Sequence, residues 1–163
     1  MDLESSIHSV RDHLVIDMDA RKWCCLPYPE HPKGCPNYGL HASCPPNVVT
    51  VDKFINLNSS ATRFIIVRFD LASHVEKMKR LHPKLSDRQA RCLLYWQPKV
   101  RTLQKRLIGL WLDDYAKPEN YVFTLIPEAM GVNVFATLDK LSVTYERQPV
   151  NYVTKVALVG EKK

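Results

Sequence analysis

Four cysteines lie in one proline-rich stretch, Trp23–Pro46, and their thiols are the side chains of this sequence best suited to chemistry. They are Cys24, Cys25, Cys35 and Cys44. Six of the eleven prolines lie in the same stretch, so it can form neither the interior of a helix nor a central strand. Because a long ordered loop needs something to hold it, we expect these thiols to bind a metal ion or a cluster.

The spacing of the cysteines is that of a wide loop. Ten residues separate Cys24 from Cys35 and eight separate Cys35 from Cys44, without the Cys-x-x-Cys pairs of common zinc ribbons and ferredoxin clusters. Cys25 adjoins Cys24, and neighbours in an extended chain point in opposite directions, so we expect one of the two to be a bystander. Spacing alone leaves two alternatives open: a group larger than a single ion, or a closed structural zinc site of three cysteines and a histidine.

Four side chains are candidates for a fourth ligand. They are Cys25, Cys92, His31 and His41. Cys92 lies at the margin of an apolar helical stripe, which is more typical of a core residue. The two histidines are more typical of loop residues that form backbone hydrogen bonds.

Two blocks of this sequence resemble a known family. Residues 35–46, Cys-Pro-Asn-Tyr-Gly-x-x-x-x-Cys-Pro-Pro, are similar to the motif of a domain-of-unknown-function family of predicted metal-binding, iron–sulfur proteins, and residues 23–34 resemble one branch of it. Residues 127–138 are similar to that family's C-terminal helix motif. Many members place further cysteines just before the C-terminal block, whereas residues 116–126 of this chain contain none. A relay that needs two clusters is therefore not expected.

The resemblance implies a 4Fe–4S cluster held by Cys24, Cys35 and Cys44, with Cys25 in a variable position. Three protein ligands would leave one iron open, and an open metal site can act as a Lewis acid. The leading hypothesis is thus an iron–sulfur-dependent lyase or desulfidase that acts on a small or nucleotide-like substrate. No catalytic side chain is assigned, because the sequence contains no Ser/His/Asp order or paired-carboxylate pattern.

A few polar residues near these blocks are weaker candidates. Glu128, at a strand-to-helix junction, is either a functional acid or a charge favoured by the helix dipole. Tyr28, Asn37 and Tyr38 either line a substrate pocket or pack the loop.

Nucleic acid is an alternative partner, since the net charge is +6 and the pI is about 9.1. A metal- or cluster-stapled nucleic-acid-binding module would use a basic helix face, and a single-cluster electron-transfer protein is a third possibility. The cations of this face are Arg88, Arg91, Lys99, Arg101, Lys105 and Arg106.

The 163 residues are expected to form one metal-binding domain over residues 1–163. No apolar run is long enough to span a membrane, and residues 1–11 lack the apolar stretch of a signal peptide, so we expect a cytoplasmic protein with reduced thiols.

The hydrophobic pattern alternates strands and helices. After an irregular or short helical lead-in at residues 1–13, it predicts strands at 13–23, 63–69, 120–126 and 150–159 and helices at 51–57, 70–81, 86–110 and 129–141. Ser86 begins the third helix with a capping box to Gln89, and Pro98 either kinks that helix or begins a second one. We expect an α/β or α+β fold: one mixed sheet, flanking helices and the long cysteine loop near the N-terminus.

Overall fold

The computed structural model describes residues 3–28, 31–115 and 117–163. Their strands form one four-stranded sheet of order β1-β2-β4-β3 in which every neighbouring pair is antiparallel. The strands are β1 Leu3–Ser9, β2 Arg63–Asp70, β3 Tyr121–Thr124 and β4 Tyr152–Glu161. The α+β form of the predicted fold is confirmed, with a sheet that is antiparallel rather than mixed.

The lead-in predicted to be irregular or helical is instead the edge strand β1. Its residues are mostly polar and exposed, so they carry no apolar periodicity, and the strand is held by its antiparallel ladder to β2, in which Ile7 lies opposite Ile65. β2 is the expected buried strand, because it lies between two neighbours and both of its faces are covered.

The predicted strand at residues 13–23 is wrong. Only Ile16 forms a β-bridge, to Val132, and the chain then turns into the 3₁₀ helix Met18–Cys25. The Asp17 side chain accepts a hydrogen bond from the Asp19 backbone N–H and so begins this helix. Ile16 and Met18, whose alternation suggested a half-buried strand, are 42% and 44% exposed.

The helices follow the sequence pattern closely in the middle of the chain. They are α1 Val51–Phe54, α2 Leu71–Leu81, α3 Asp87–Ala90, α4 Gln97–Leu112 and α5 Val134–Lys140. The Ser86–Gln89 capping box is present at α3, and Pro98 lies in the first turn of α4, so the alternative of two consecutive helices is correct. Leu110 is exposed, which ends the predicted apolar stripe at Leu107.

The helix predicted at 129–141 is interrupted at its start. A 3₁₀ helix, Pro127–Met130, ends at Gly131, whose φ of 90° is left-handed. Asn133 then caps α5 by accepting a hydrogen bond from the Ala136 backbone N–H. Beyond this short helix the chain returns to the sheet as β4.

Two apolar layers cover the two faces of the sheet. On one face α2, α3 and α4 pack on β2 and β4 around side chains such as Phe69, Trp96 and Val100. On the other face, α1, α5 and the segment before the cysteines enclose Phe64 and Leu158. None of the described helices has the length and apolar character needed to cross a membrane.

One edge of β4 is only partly paired. β3 pairs with residues 158–161 of β4, whereas residues 152–157 have no strand partner on that side among the described residues. The cysteine segment, α5 and the α3–α4 connection surround this open edge, and the candidate site lies here.

Candidate metal centre

The first cysteine of the proline-rich loop is positioned by contacts between two 3₁₀ helices. The Asp17 backbone N–H donates to the Gly131 carbonyl oxygen at 2.8 Å, and Asn133 Nδ2 donates to the Asp17 carboxylate at 3.2 Å. Met18 packs directly on Gly131, where a Cβ atom would lie 2.5 Å from Met18 Cε. These contacts place Cys24, at the end of the first 3₁₀ helix, half-buried beside Glu128 of the second.

The loop then folds back onto Cys24. The Cys35 backbone N–H donates to the Cys24 carbonyl oxygen at 2.7 Å. The preceding residue must be glycine, because Gly34 has a φ of 83° and an added Cβ would lie 2.6 Å from that same Cys24 oxygen. Two of the three predicted ligands are therefore joined through the backbone.

Cys44 is held at the far end of the loop. Its backbone N–H donates to His41 O at 3.0 Å, its carbonyl accepts from the Val48 N–H at 2.9 Å, and its Sγ donates to Asn37 O at 3.0 Å. The Arg21 guanidinium, from the 3₁₀ helix that carries Cys24, donates to Val48 O at 3.0 Å and to the carbonyl of Pro46.

Burial and neighbouring negative charges both affect the Cys24 thiol. Burial raises the pKa of Cys24 to about 11, and the negative charges of Glu128, Cys35, Cys44 and Cys25 add to this effect. Cys24 is therefore within electrostatic reach of both Cys35 and Cys44. Among the described residues, however, no three His, Cys, Asp or Glu side chains converge as a ready-made site for a metal ion.

The candidates for a fourth ligand occupy different surroundings. Cys25 and His41 are exposed, whereas the His31 ring packs on the Tyr28 ring with centroids 4.7 Å apart. Cys92 is buried, but it is not remote from the loop. Burial raises the pKa of Tyr28, and the charges of Cys35, Cys92 and Cys24 contribute, so Tyr28 lies near all three thiols.

A cavity of about 570 Å³ adjoins the cysteine segment. Trp23 and Tyr28 of that segment form part of its wall, and Phe135 of α5 packs against Trp23 with ring centroids 5.2 Å apart. Tyr145 continues the aromatic wall at 5.1 Å from Phe135. Glu128 also lines the cavity, and its negative charge raises the pKa of Cys24.

Of the loop residues that the sequence singled out for a pocket, only Tyr28 lines this cavity. Asn37 and Tyr38 are exposed, and Asn37 contacts Cys44 through its carbonyl. Arg91, predicted on the solvent face of the helix, instead lines the cavity with its Nε atom buried. Residues 145–156, which sequence reasoning did not associate with the site, supply much of the remaining wall, and no local pattern marks them.

The donor set fits a thiolate-bound metal centre. Cysteine sulfur is the ligand that iron–sulfur clusters and zinc share, and all five cysteines are free thiols. Three of these thiols lie on one loop whose backbone is hydrogen-bonded at Cys24, Cys35 and Cys44.

Comparison with known proteins agrees with this chemistry. No curated protein and no solved structure matches the chain. A family model described as "Predicted metal-binding protein (DUF2284)" matches residues 14–108, more than half of the chain, and includes every cysteine. The chain therefore belongs to this family of predicted metal-binding proteins.

Proposed function

We propose that this protein binds one 4Fe–4S cluster through Cys24, Cys35 and Cys44, with one iron open to a small or nucleotide-like substrate. The observation that carries the proposal is the position of the loop: the Cys24 thiol is within electrostatic reach of Cys35 and Cys44, and the neighbouring Trp23 and Tyr28 line a cavity of about 570 Å³. We further propose that residues 1–163 act as one domain in the cytoplasm, where the thiols stay reduced.

When bound, the cluster would supply Lewis-acid chemistry, which suits desulfuration or another lyase reaction. The protein's own part is to bind and orient the substrate and to exclude water. Trp23, next to Cys24 in the chain, and Phe135 give the cavity an aromatic wall, and Glu128 lines the same cavity as a candidate to exchange a proton with a ligand. We assign no such role to Cys25 or His41, because both side chains are exposed.

Metal and sulfide analysis tests the proposal directly. Protein purified without oxygen should be coloured and contain about four iron and four acid-labile sulfide per chain. A colourless protein with one zinc per chain and no labile sulfide would overturn it and establish the zinc alternative. Enzyme activity is a separate question that this measurement does not touch.

A second candidate function is nucleic-acid binding, favoured by the outer face of α4. Lys99, Arg101, Lys105 and Arg106 are exposed there, and none forms an ion pair within the part of the chain that the structure describes. Phosphate contacts by these cations would make affinity fall steeply with salt. Titration of RNA and DNA duplexes at several salt concentrations tests this, with Lys105→Gln/Arg106→Gln as the variant. Absent or salt-independent binding would exclude it.

A further inference from the structure

The cavity beside the cysteine loop has two chemically distinct parts. One part is aromatic: Trp23, Phe135 and Tyr145 form consecutive ring contacts at 5.2 and 5.1 Å. The Tyr145 hydroxyl hydrogen-bonds to Asp139 Oδ1 at 2.9 Å. Tyr145 therefore presents its ring to the cavity rather than a free polar group. Such a wall suits a flat, unsaturated ring system.

The other part carries polar atoms that lack partners. Arg91 Nε and Thr154 Oγ1 are buried and have no hydrogen-bond partner among the described residues. An arginine Nε can only donate, so Arg91 needs an acceptor. Buried polar groups are normally paired, and both residues line one cavity, so its wall keeps hydrogen-bonding capacity that the described residues do not use.

The charges near these atoms favour a negative ligand. Lys155, the next residue along β4, also lines the cavity and forms no ion pair within the described ranges. Arg91 interacts with the charge of Asp87, but Asp87 is exposed and is bonded to Lys79. Arg147 is a third cation of the cavity wall and lies over the Phe135 ring, 5.1 Å from its centroid. None of the three cations forms an ion pair within the described ranges.

The acidic residues of the cavity wall do not remove this preference. The Glu146 carboxylate accepts hydrogen bonds from the backbone N–H groups of Val150 and Asn151 at 2.7 and 2.9 Å. The negative charge of Glu128 raises the pKa of Cys24, so we assign Glu128 to the side of the cavity nearest the cysteines. An anion is best accommodated away from Glu128, among Arg91, Thr154 and Lys155.

We infer that the cavity binds a planar aromatic molecule with one anionic group, whose ring lies against the aromatic wall that begins at Trp23 and whose anion contacts Arg91, Lys155 and Thr154. The inference that this molecule is the substrate of the proposed enzyme rests on the proposed function. The inference that the cavity binds such a molecule depends only on the cavity. A ring bearing a carboxylate, sulfonate or phosphate satisfies the same contacts.

Two fluorescent probes that differ in a single charge test the inference. 1-Anilinonaphthalene-8-sulfonate combines a planar naphthalene ring with one anionic group, and N-phenyl-1-naphthylamine is its uncharged counterpart. The 163-residue chain, as purified, should bind the sulfonate more tightly by about tenfold, since a charge-assisted hydrogen bond distinguishes the two probes. Equal affinity for the two probes, or tighter binding of the neutral one, would overturn the inference without any variant.

Variants then locate the anion. Arg91→Gln should weaken binding of the sulfonate about tenfold and Thr154→Val about threefold, with no change for the neutral probe. Arg80→Gln, at an exposed position near the end of α2, is the matched control and should leave both affinities unchanged. If Arg91→Gln does not fold, as judged by circular dichroism, Lys155→Gln takes its place. Sulfonate affinity that none of the cavity variants changes would refute the site.

The same experiment separates this inference from the proposed function. Equilibrium dialysis of the sulfonate against protein as purified gives its affinity whatever metal is present. Anion-selective binding by a protein without iron or sulfide would retain the cavity and reject the cluster. A 4Fe–4S protein that binds the two probes equally would do the reverse.

Discussion

The backbone N–H of Cys35 donates a 2.7 Å hydrogen bond to the carbonyl oxygen of Cys24, across a loop of ten intervening residues. This single bond joins the backbone at two of the proposed ligands. Gly34 makes it possible, since the glycine is buried against the backbone of Cys24 and Cys25 in a left-handed conformation.

Replacement of Gly34 by alanine should therefore disrupt the centre. The new Cβ would lie 2.6 Å from Cys24 O, and the φ of 83° would itself be strained, so we expect a loss of roughly 1–3 kcal/mol in the free energy of unfolding together with lower iron content. Urea titration and iron analysis measure the two effects. Gly109→Ala is the control: in α4 a Cβ there meets no atom within 4 Å, and the substitution should stabilise by about 0.5–1 kcal/mol. Equal behaviour of the two variants would contradict the role of Gly34.

Serine substitutions of the cysteines should divide into two groups. Cys24→Ser, Cys35→Ser and Cys44→Ser should each lose most of the iron and sulfide, because each removes a proposed thiolate ligand. Cys25→Ser should retain both, since Cys25 is exposed. Cys92→Ala should also retain iron while lowering stability by about 1 kcal/mol, as expected for a small buried side chain. Iron loss in Cys92→Ala would instead identify Cys92 as the fourth ligand.

Arg21 should control how long the centre persists. Its guanidinium bridges the carbonyls of Pro46 and Val48, just after Cys44, so Arg21→Ala should free that end of the loop and cost about 1 kcal/mol. We expect faster bleaching of the visible absorbance in air. Arg80→Ala, at an exposed position near the end of α2, is the control. Identical bleaching rates in the two variants would show that the bridge is dispensable.

Gln104 offers a route to a more stable protein. Its side chain in α4 is fully buried, and both amide atoms lack a hydrogen-bond partner among the described residues. Gln104→Met keeps a similar volume and removes the desolvated amide, so it should stabilise by about 1–3 kcal/mol. Lys105→Met, at the next and exposed position, should change stability by less than about 0.5 kcal/mol. A lower melting temperature for Gln104→Met would indicate that the amide is satisfied in solution.

Glu146 should make stability depend on pH in the acidic range. Hydrogen bonds from the backbone of Val150 and from both the side chain and backbone of Asn151 lower its pKa to about 2, from 4.5. Because the folded state holds the proton less tightly, the stabilisation is complete above pH 4.5 and is lost as the pH falls towards 2. Glu146→Gln should lower the melting temperature most at neutral pH, and the difference from wild type should shrink as the pH approaches 2. Glu76→Gln, on an exposed position of α2, should produce no such convergence.

Local patterns in the sequence predicted those elements whose cause is local. The proline-rich cysteine loop, the buried strand β2, the Ser86–Gln89 capping box and the helix start at Pro98 each depend on residues a few positions apart. The edge strand β1 was missed because its polar residues depend on a partner more than fifty positions away.

The candidate site was predicted only in part, for the same reason. Its thiols lie in one stretch of the sequence, and the family relationship supports a metal-binding role for the chain. The cavity depends on contacts such as Trp23 with Phe135, which tertiary packing alone brings together. Arg91 illustrates the limit: helical periodicity placed it on the solvent face, whereas the break between α3 and α4 turns its guanidinium inward.

The origin of the cavity wall bears on how proteins of this kind diversify. Every cysteine lies before residue 93, whereas much of the wall that faces the loop comes from Glu128 and the residues beyond it, such as Phe135 and Thr154. Substitutions in the last third of the chain can thus reshape the chamber while each thiol stays in place. Ligand preference and the capacity to carry a metal can evolve separately, and exchange of the C-terminal segment between relatives is a practical way to retarget the protein.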